Sequence, residues 1–216
     1  MEQIAEVPVI FTPGIEPYLG RELLRAFDEL IVCCLEHNQT IARRTGTVAN
    51  KTILQEAACI LIPQGVSLAL SIRELVRQGY LLGAKVLMRP LIERSVTILY
   101  LHQNPSDLGI WERGWPFNER PGLTKMLRAL APQGGHPDVA RQMTAELNSL
   151  THGDPASSYH NLVFTDQGAA GHAVSKNFCR PDVCDAICAE VIPWLAVLLG
   201  MMHAIFPAPE SQDVVH

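Results

Sequence analysis

The residues of this chain best suited to chemistry lie in two stretches with helical spacing. In "ELNSLTHGD", Glu146 to Asp154, His152 follows Asn148 by one helical turn, and Arg141 precedes Asn148 by two. Offsets of four and seven place all three on one helix face. Near neutral pH an imidazole can act as acid or base, while Arg and Asn can hold a phosphate or a developing oxyanion. That set suits metal-independent RNA cleavage. The structural alternative is equally physical. A His in a last helical turn complements the negative end of the helix dipole, and Gly153 with Asp154-Pro155 is ordinary stop-and-turn chemistry.

The second stretch is "KVLMRPLIE", in which Lys85, Arg89 and Glu93 recur at intervals of four within a segment otherwise made of Leu, Ile, Val and Met. Ionised groups are costly to bury unless paired, and Arg89 with Glu93 is a natural intrahelical pair. Read as a site, Arg89 is an anion or phosphate clamp and Glu93 an acid, a base or an orienting group. Read as structure, the pair fixes helix register. Pro90 adds polarity by freeing the carbonyl of Val86.

Metal and cofactor chemistry find less support. Cys179, Cys184, Cys188 and His172 are close in sequence, but their spacing matches no common zinc motif. No glycine-rich dinucleotide loop, phosphate-binding loop, nucleophile elbow or zinc-protease signature is present. No cofactor and no metal is expected.

These candidates need helices to position them. Leu19, Leu23, Leu24, Phe27, Leu30, Ile31, Cys34 and Leu35 recur at three and four, which predicts a first helix from Glu16 to near His37. A second helix is predicted from Thr52 to Gln78, bent at Pro63 and stopped by Gly79. A tight turn there makes the next helix, ending before Asn104-Pro105, its antiparallel neighbour. The Pro-, Gly- and Trp-rich segment 102–122 reads as an irregular connection with a short helical turn whose aromatics plug the bundle. "LTKMLRAL" and "PDVARQMTAELNSLTH" read as further helices, the second opening on Pro137. Two β-prone pieces around Asp166 to Gly171 predict a hairpin, and a last helix runs from Pro181 to Phe206. Residues 1–15 read as an extended arm and 207–216 as a disordered tail.

A chain of 216 residues with 48% hydrophobic content can bury one core, so a single domain over 1–216 is expected. The net charge of -5 gives no general attraction to a polyphosphate, so DNA is not expected and RNA could be met only at a local basic patch. The N-terminus lacks the basic and apolar regions of a secretory signal, and the six cysteines form no C-x-x-C pair. A cytoplasmic location follows. The longest apolar run, Val191 to Phe206, falls short of the roughly twenty residues of a membrane span, so membrane insertion is not expected. The run is expected at the centre of a bundle or in a subunit interface.

Two of these stretches together carry a resemblance. "GYLLGAKVLMRPLIERSVTILYLHQNP", followed later by "LNSLTHGD", resembles a group of poorly characterised bacterial all-helical proteins with an L-x-R-P-L-x-E core and a later L-N-x-x-x-H-G. Those are similar in turn to the HEPN group of helical bundles, many of them dimeric ribonucleases of toxin, antiphage and RNA-processing systems. The resemblance implies an arginine separated by four to six residues from a histidine at a helix terminus, paired across a two-fold axis. His152 matches that histidine. The arginine position departs from the pattern, since three residues separate Asn148 from His152 and ten separate Arg141 from it. Arg89 is the available substitute, which leads to the expectation of one polar cluster of Arg89, Glu93, Asn148 and His152 between two helices.

The expectation is therefore an all-α antiparallel bundle of five to six helices with at most one small β-hairpin near 162–176. Its function is that of a self-associating, dimeric interaction or ligand-sensing module, set by the resemblance in bacterial defence or stress. The alternative is a metal-independent ribonuclease or toxin-like effector acting on RNA through His152.

Overall fold

The computed structural model describes residues 16–46, 50–116, 118–130, 137–160, 162–164, 167–172 and 176–207. The expected arm (1–15) and nearly all of the expected tail lie outside the described residues. Seven helices are present among them: α1 (Glu22–Thr45), α2 (Ile53–Gln78), α3 (Leu81–Gln103), α4 (Leu108–Glu112), α5 (Leu123–Leu130), α6 (Pro137–His152) and α7 (Pro181–Ile205). Two short antiparallel strands, β1 (Leu162–Phe164) and β2 (Ala170–His172), pair Val163 with Gly171. The expected helical fold and hairpin are both found.

Local chemistry explains most boundaries. Thr52 caps α2 by accepting from the Gln55 backbone N–H at 3.2 Å while the Gln55 side chain accepts from the Thr52 N–H at 3.1 Å, satisfying two orphan donors. Gly79 ends α2 at φ 80, where an L side chain is strained, and the Tyr80 N–H returns to the Leu75 carbonyl at 2.8 Å. The turn is also packed from outside. A Cβ on Gly79 would meet the Phe178 ring at 2.8 Å and the Asn177 carbonyl at 3.0 Å. Asn177 in turn donates its N–H to the Gly79 carbonyl at 2.9 Å, and its own carbonyl accepts from the Tyr18 hydroxyl.

The first helix differs from its expected span at both ends. Glu16 to Gly20 form a turn, with Gly20 at φ 89, so the helix begins only at Glu22. Leu19 consequently leaves the core and is 72% exposed. At the other end the helix passes His37 and reaches Thr45, because Ile41 still packs on the core. Apolar packing, rather than the local sequence, carries that last stretch.

Four long helices form the body. The α2–α3 hairpin packs against α7, and α7 also covers α1. Their shared interior holds Phe27, Ile62, Ile72, Met88, Leu91, Ile98, Ile187 and Leu195, all nearly inaccessible. Gly65 lets α2 approach α7 closely, since a Cβ there would fall 2.5 Å from a Leu198 methyl. By length and composition α2 and α7 are apolar enough to cross a membrane, each through an 18-residue window. That window is longer than the apolar run expected of α7. In this fold α7 serves as a central strut, burying Val183, Cys184, Ile187, Cys188, Val191, Leu195, Leu198 and Met202. The smaller α5 and α6 pack on the flank of α3.

Ion pairs fasten the bundle where sequence spacing gave no sign of them. Arg73 of α2 bonds Asp28 of α1 at 3.0 Å and Glu16 at 3.2 Å, and Arg21 bonds Asp185 of α7 at 2.6 Å.

Candidate functional site

Helix α3 is buried around most of its circumference, so its charged residues are forced either to pair or to reach an edge. The three charges expected in one seam divide between two neighbours. Lys85, 8% exposed, is bonded to Glu190 of α7. Arg89 and Glu93 turn towards α6. The Arg89 Nε donates to Glu93 Oε1 at 3.2 Å, and its Nη1 donates to the Asn148 side-chain oxygen. The inter-helix contact between Arg89 and Asn148 is thus made, and it docks the last half of α6 against α3.

His152 does not join that cluster. It lies exposed in the last turn of α6, with no hydrogen bond or ion pair to any described residue. The reason is geometric: Asn148 makes the Arg89 contact, and His152, one turn further along α6, is exposed. Arg141 also stays out. Its side chain is 73% exposed and lies 3.9 Å from Asp138, one turn away on α6. Of the five candidate residues, Arg89, Glu93 and Asn148 are brought together; His152 and Arg141 face solvent.

The other face of Glu93 opens onto a feature no sequence pattern signalled. A cavity of about 440 Å³ lies between α2, α3 and the segment that follows α4, lined by Leu61, Gln64, Glu93, Arg94, Thr97, Trp111, Gly114, Trp115 and Arg120. Its size falls in the range of small-molecule sites. Arg94 crosses the wall, donating from Nε to Gln64 Oε1 at 3.2 Å and lying 3.8 Å from Glu93 Oε2. Glu93 therefore stands between two guanidiniums, Arg89 on one oxygen and Arg94 on the other.

Trp115 is the anomaly of this cavity. It is the one non-glycine residue at positive φ among those described, at φ 49 after Gly114 at φ 91. That backbone costs a bulky L residue about 1 kcal/mol or more. The turn holds it: the Trp115 N–H reaches the Ile110 carbonyl at 3.1 Å and the Gly114 N–H the Trp111 carbonyl at 2.9 Å. Its indole packs against the core, and its Nε1–H is sealed from solvent with no acceptor among the described residues. An unmet buried donor costs about 1 to 3 kcal/mol. Strain and an idle donor on one residue lining a cavity mark a position shaped by something other than stability.

Elsewhere the titratable groups serve structure. Cys184 and Cys188 are buried on successive turns of α7 while Cys179 is exposed, and no group of three or more metal-ligating side chains forms among the described residues. The Asp107 carboxylate accepts from the Tyr100 hydroxyl at 2.6 Å, and that bond pushes the phenol up to about 12. The Arg180 guanidinium beside Asp182 holds that carboxyl well below the usual carboxylate range, helped by the Tyr159 hydroxyl at 3.0 Å.

Comparison with known proteins adds one coarse fact. The model of a family of unknown function, DUF5677, matches residues 55–112, which is α2, α3 and α4. The match includes the L-x-R-P-L-x-E segment and six of the nine cavity-lining residues, from Leu61 to Trp111. It does not extend to Asn148 or His152. No curated protein and no solved structure matches the chain.

Proposed function

We propose that this chain is a ligand-sensing helical module whose site is the cavity between α2, α3 and the Trp111–Trp115 turn. The observation that carries the reading is Trp115, which lines the cavity at a strained φ of 49. A bound molecule packed against the indole would offset part of that cost and order the turn. The reading is tested by thermal shift and calorimetry against a panel of small anions, cations and neutral aromatics. A saturable response that Trp115→Ala weakens about tenfold supports it; no saturable response to any member sinks it.

Self-association belongs to the same reading and is supported by apolar side chains left exposed on α1 and α2: Val32, Leu35, Ile60 and Leu70. Light scattering that finds only monomer at micromolar concentration removes that part. The second reading is the metal-independent ribonuclease or toxin-like effector offered by the HEPN resemblance. Its one supporting observation is the exposed imidazole of His152, unbonded to the described residues. Arg89 is held by Glu93 and Asn148, which leaves the exposed Arg141 or a second copy to supply the cation for the phosphate. RNA incubated in EDTA with wild type and His152→Ala decides it: equal cleavage by both, or none by either, ends that reading.

A further inference from the structure

Resting on the cavity reading, we infer that the ligand is a small planar aromatic carboxylic acid. The lining residues contain two guanidiniums, Arg94 and Arg120, against the single carboxylate of Glu93. That leaves an excess of one positive charge in a chain whose net charge is -5. Glu93 is also offset from the rear by Arg89 at 3.2 Å, so its charge is already shared when a ligand arrives. Arg120 has no side-chain partner among the described residues, and Arg94 commits its Nε to Gln64 while its Nη2 is not bonded to any of them. A guanidinium fork of this kind accepts a carboxylate through two parallel bonds.

The body of the ligand follows from the remaining wall. Trp111 and Trp115 stand on either side of the Arg113–Gly114 turn, which is closed by the Gly114 N–H on the Trp111 carbonyl at 2.9 Å, and both line the same cavity. Flat rings pack on indoles through offset stacking or edge contacts. A space of about 440 Å³ admits one or two fused rings with a short acidic arm.

The test is calorimetry on the full chain with 2-naphthoate, its neutral amide and phenyl phosphate as probes. The expected result is saturable binding of the acid, at least tenfold tighter than either other probe. Arg94→Gln should bring the acid down to the affinity of the amide and leave the amide unchanged. Trp115→Ala, which removes the stacking surface, should weaken acid and amide alike by three- to tenfold. The melting temperature of each variant shows that it is folded. Equal binding of acid and amide, or tighter binding of phenyl phosphate, overturns the acid inference while the cavity reading stands. Failure of the acid to bind overturns the inference, and the broader panel then judges the cavity reading on its own.

Discussion

The guanidinium of Arg89 on α3 donates to the side-chain oxygen of Asn148 on α6, and through Glu93 the same guanidinium is tied to Arg94 at the cavity wall. A packing contact between two helices and the polarity of the cavity are therefore one network. In a double-mutant cycle of Arg89→Met and Asn148→Leu, the two should couple by about 1 kcal/mol, discounted from the usual charged hydrogen bond because Arg89 remains a quarter exposed. Urea unfolding of the four proteins measures it, and additive losses would show that α6 docks without this bond.

His152 contrasts with that pair. Exposed and unbonded to the described residues, it should tolerate His152→Ala within about 0.5 kcal/mol. A larger loss of stability in the same unfolding assay would reveal a contact that its exposed position does not suggest.

Two glycines at positive φ separate backbone strain from packing. Gly153 at φ 71 has open space around it, so Gly153→Ala should cost about 1 kcal/mol for the left-handed backbone alone. Gly79→Ala adds a collision with Phe178 and the Asn177 carbonyl and should cost about 2 to 3 kcal/mol. Equal costs would mean that the 176–178 segment yields without penalty.

The pH dependence of stability should report Asp182. Arg180, 2.8 Å away, lowers its folded pKa below the unfolded value, so its stabilisation is complete above the ordinary carboxylate range and is lost as pH falls through the folded pKa. The melting temperatures of wild type and Asp182→Asn should differ near pH 7 and converge in acid. A gap that persisted unchanged in strong acid would assign it to something other than this charge.

Thiol accessibility tests the core. Burial pushes the Cys34 thiol up to about 12, and Cys184 and Cys188 are likewise sealed, whereas Cys33 and Cys179 are exposed. A thiol reagent in mildly alkaline buffer should label Cys33 and Cys179 readily and reach the buried three only on unfolding. Rapid labelling of Cys184 or Cys188 in the folded protein would place α7 outside the core.

Helical periodicity and punctuation are legible without any coordinates. Gly79, Pro137 and Pro181 mark the ends and starts that their chemistry predicts, because capping and φ preferences act over a few residues and are written locally. Spacing also puts Arg89 beside Glu93, since one turn of helix separates them whatever surrounds it. Spacing alone could not say which neighbour each helix face would meet. Lys85 and Arg89 share a periodicity, yet one is taken by Glu190 of α7 and the other by Asn148 of α6. The cavity lay further out of reach: it joins Gln64, Arg94 and Trp115 from three segments, and its telling feature is a backbone angle. Local sequence determined the helices and their polar faces; the packing of distant apolar surfaces decided which polar groups were paired, which were left in solvent and which came to line a common space.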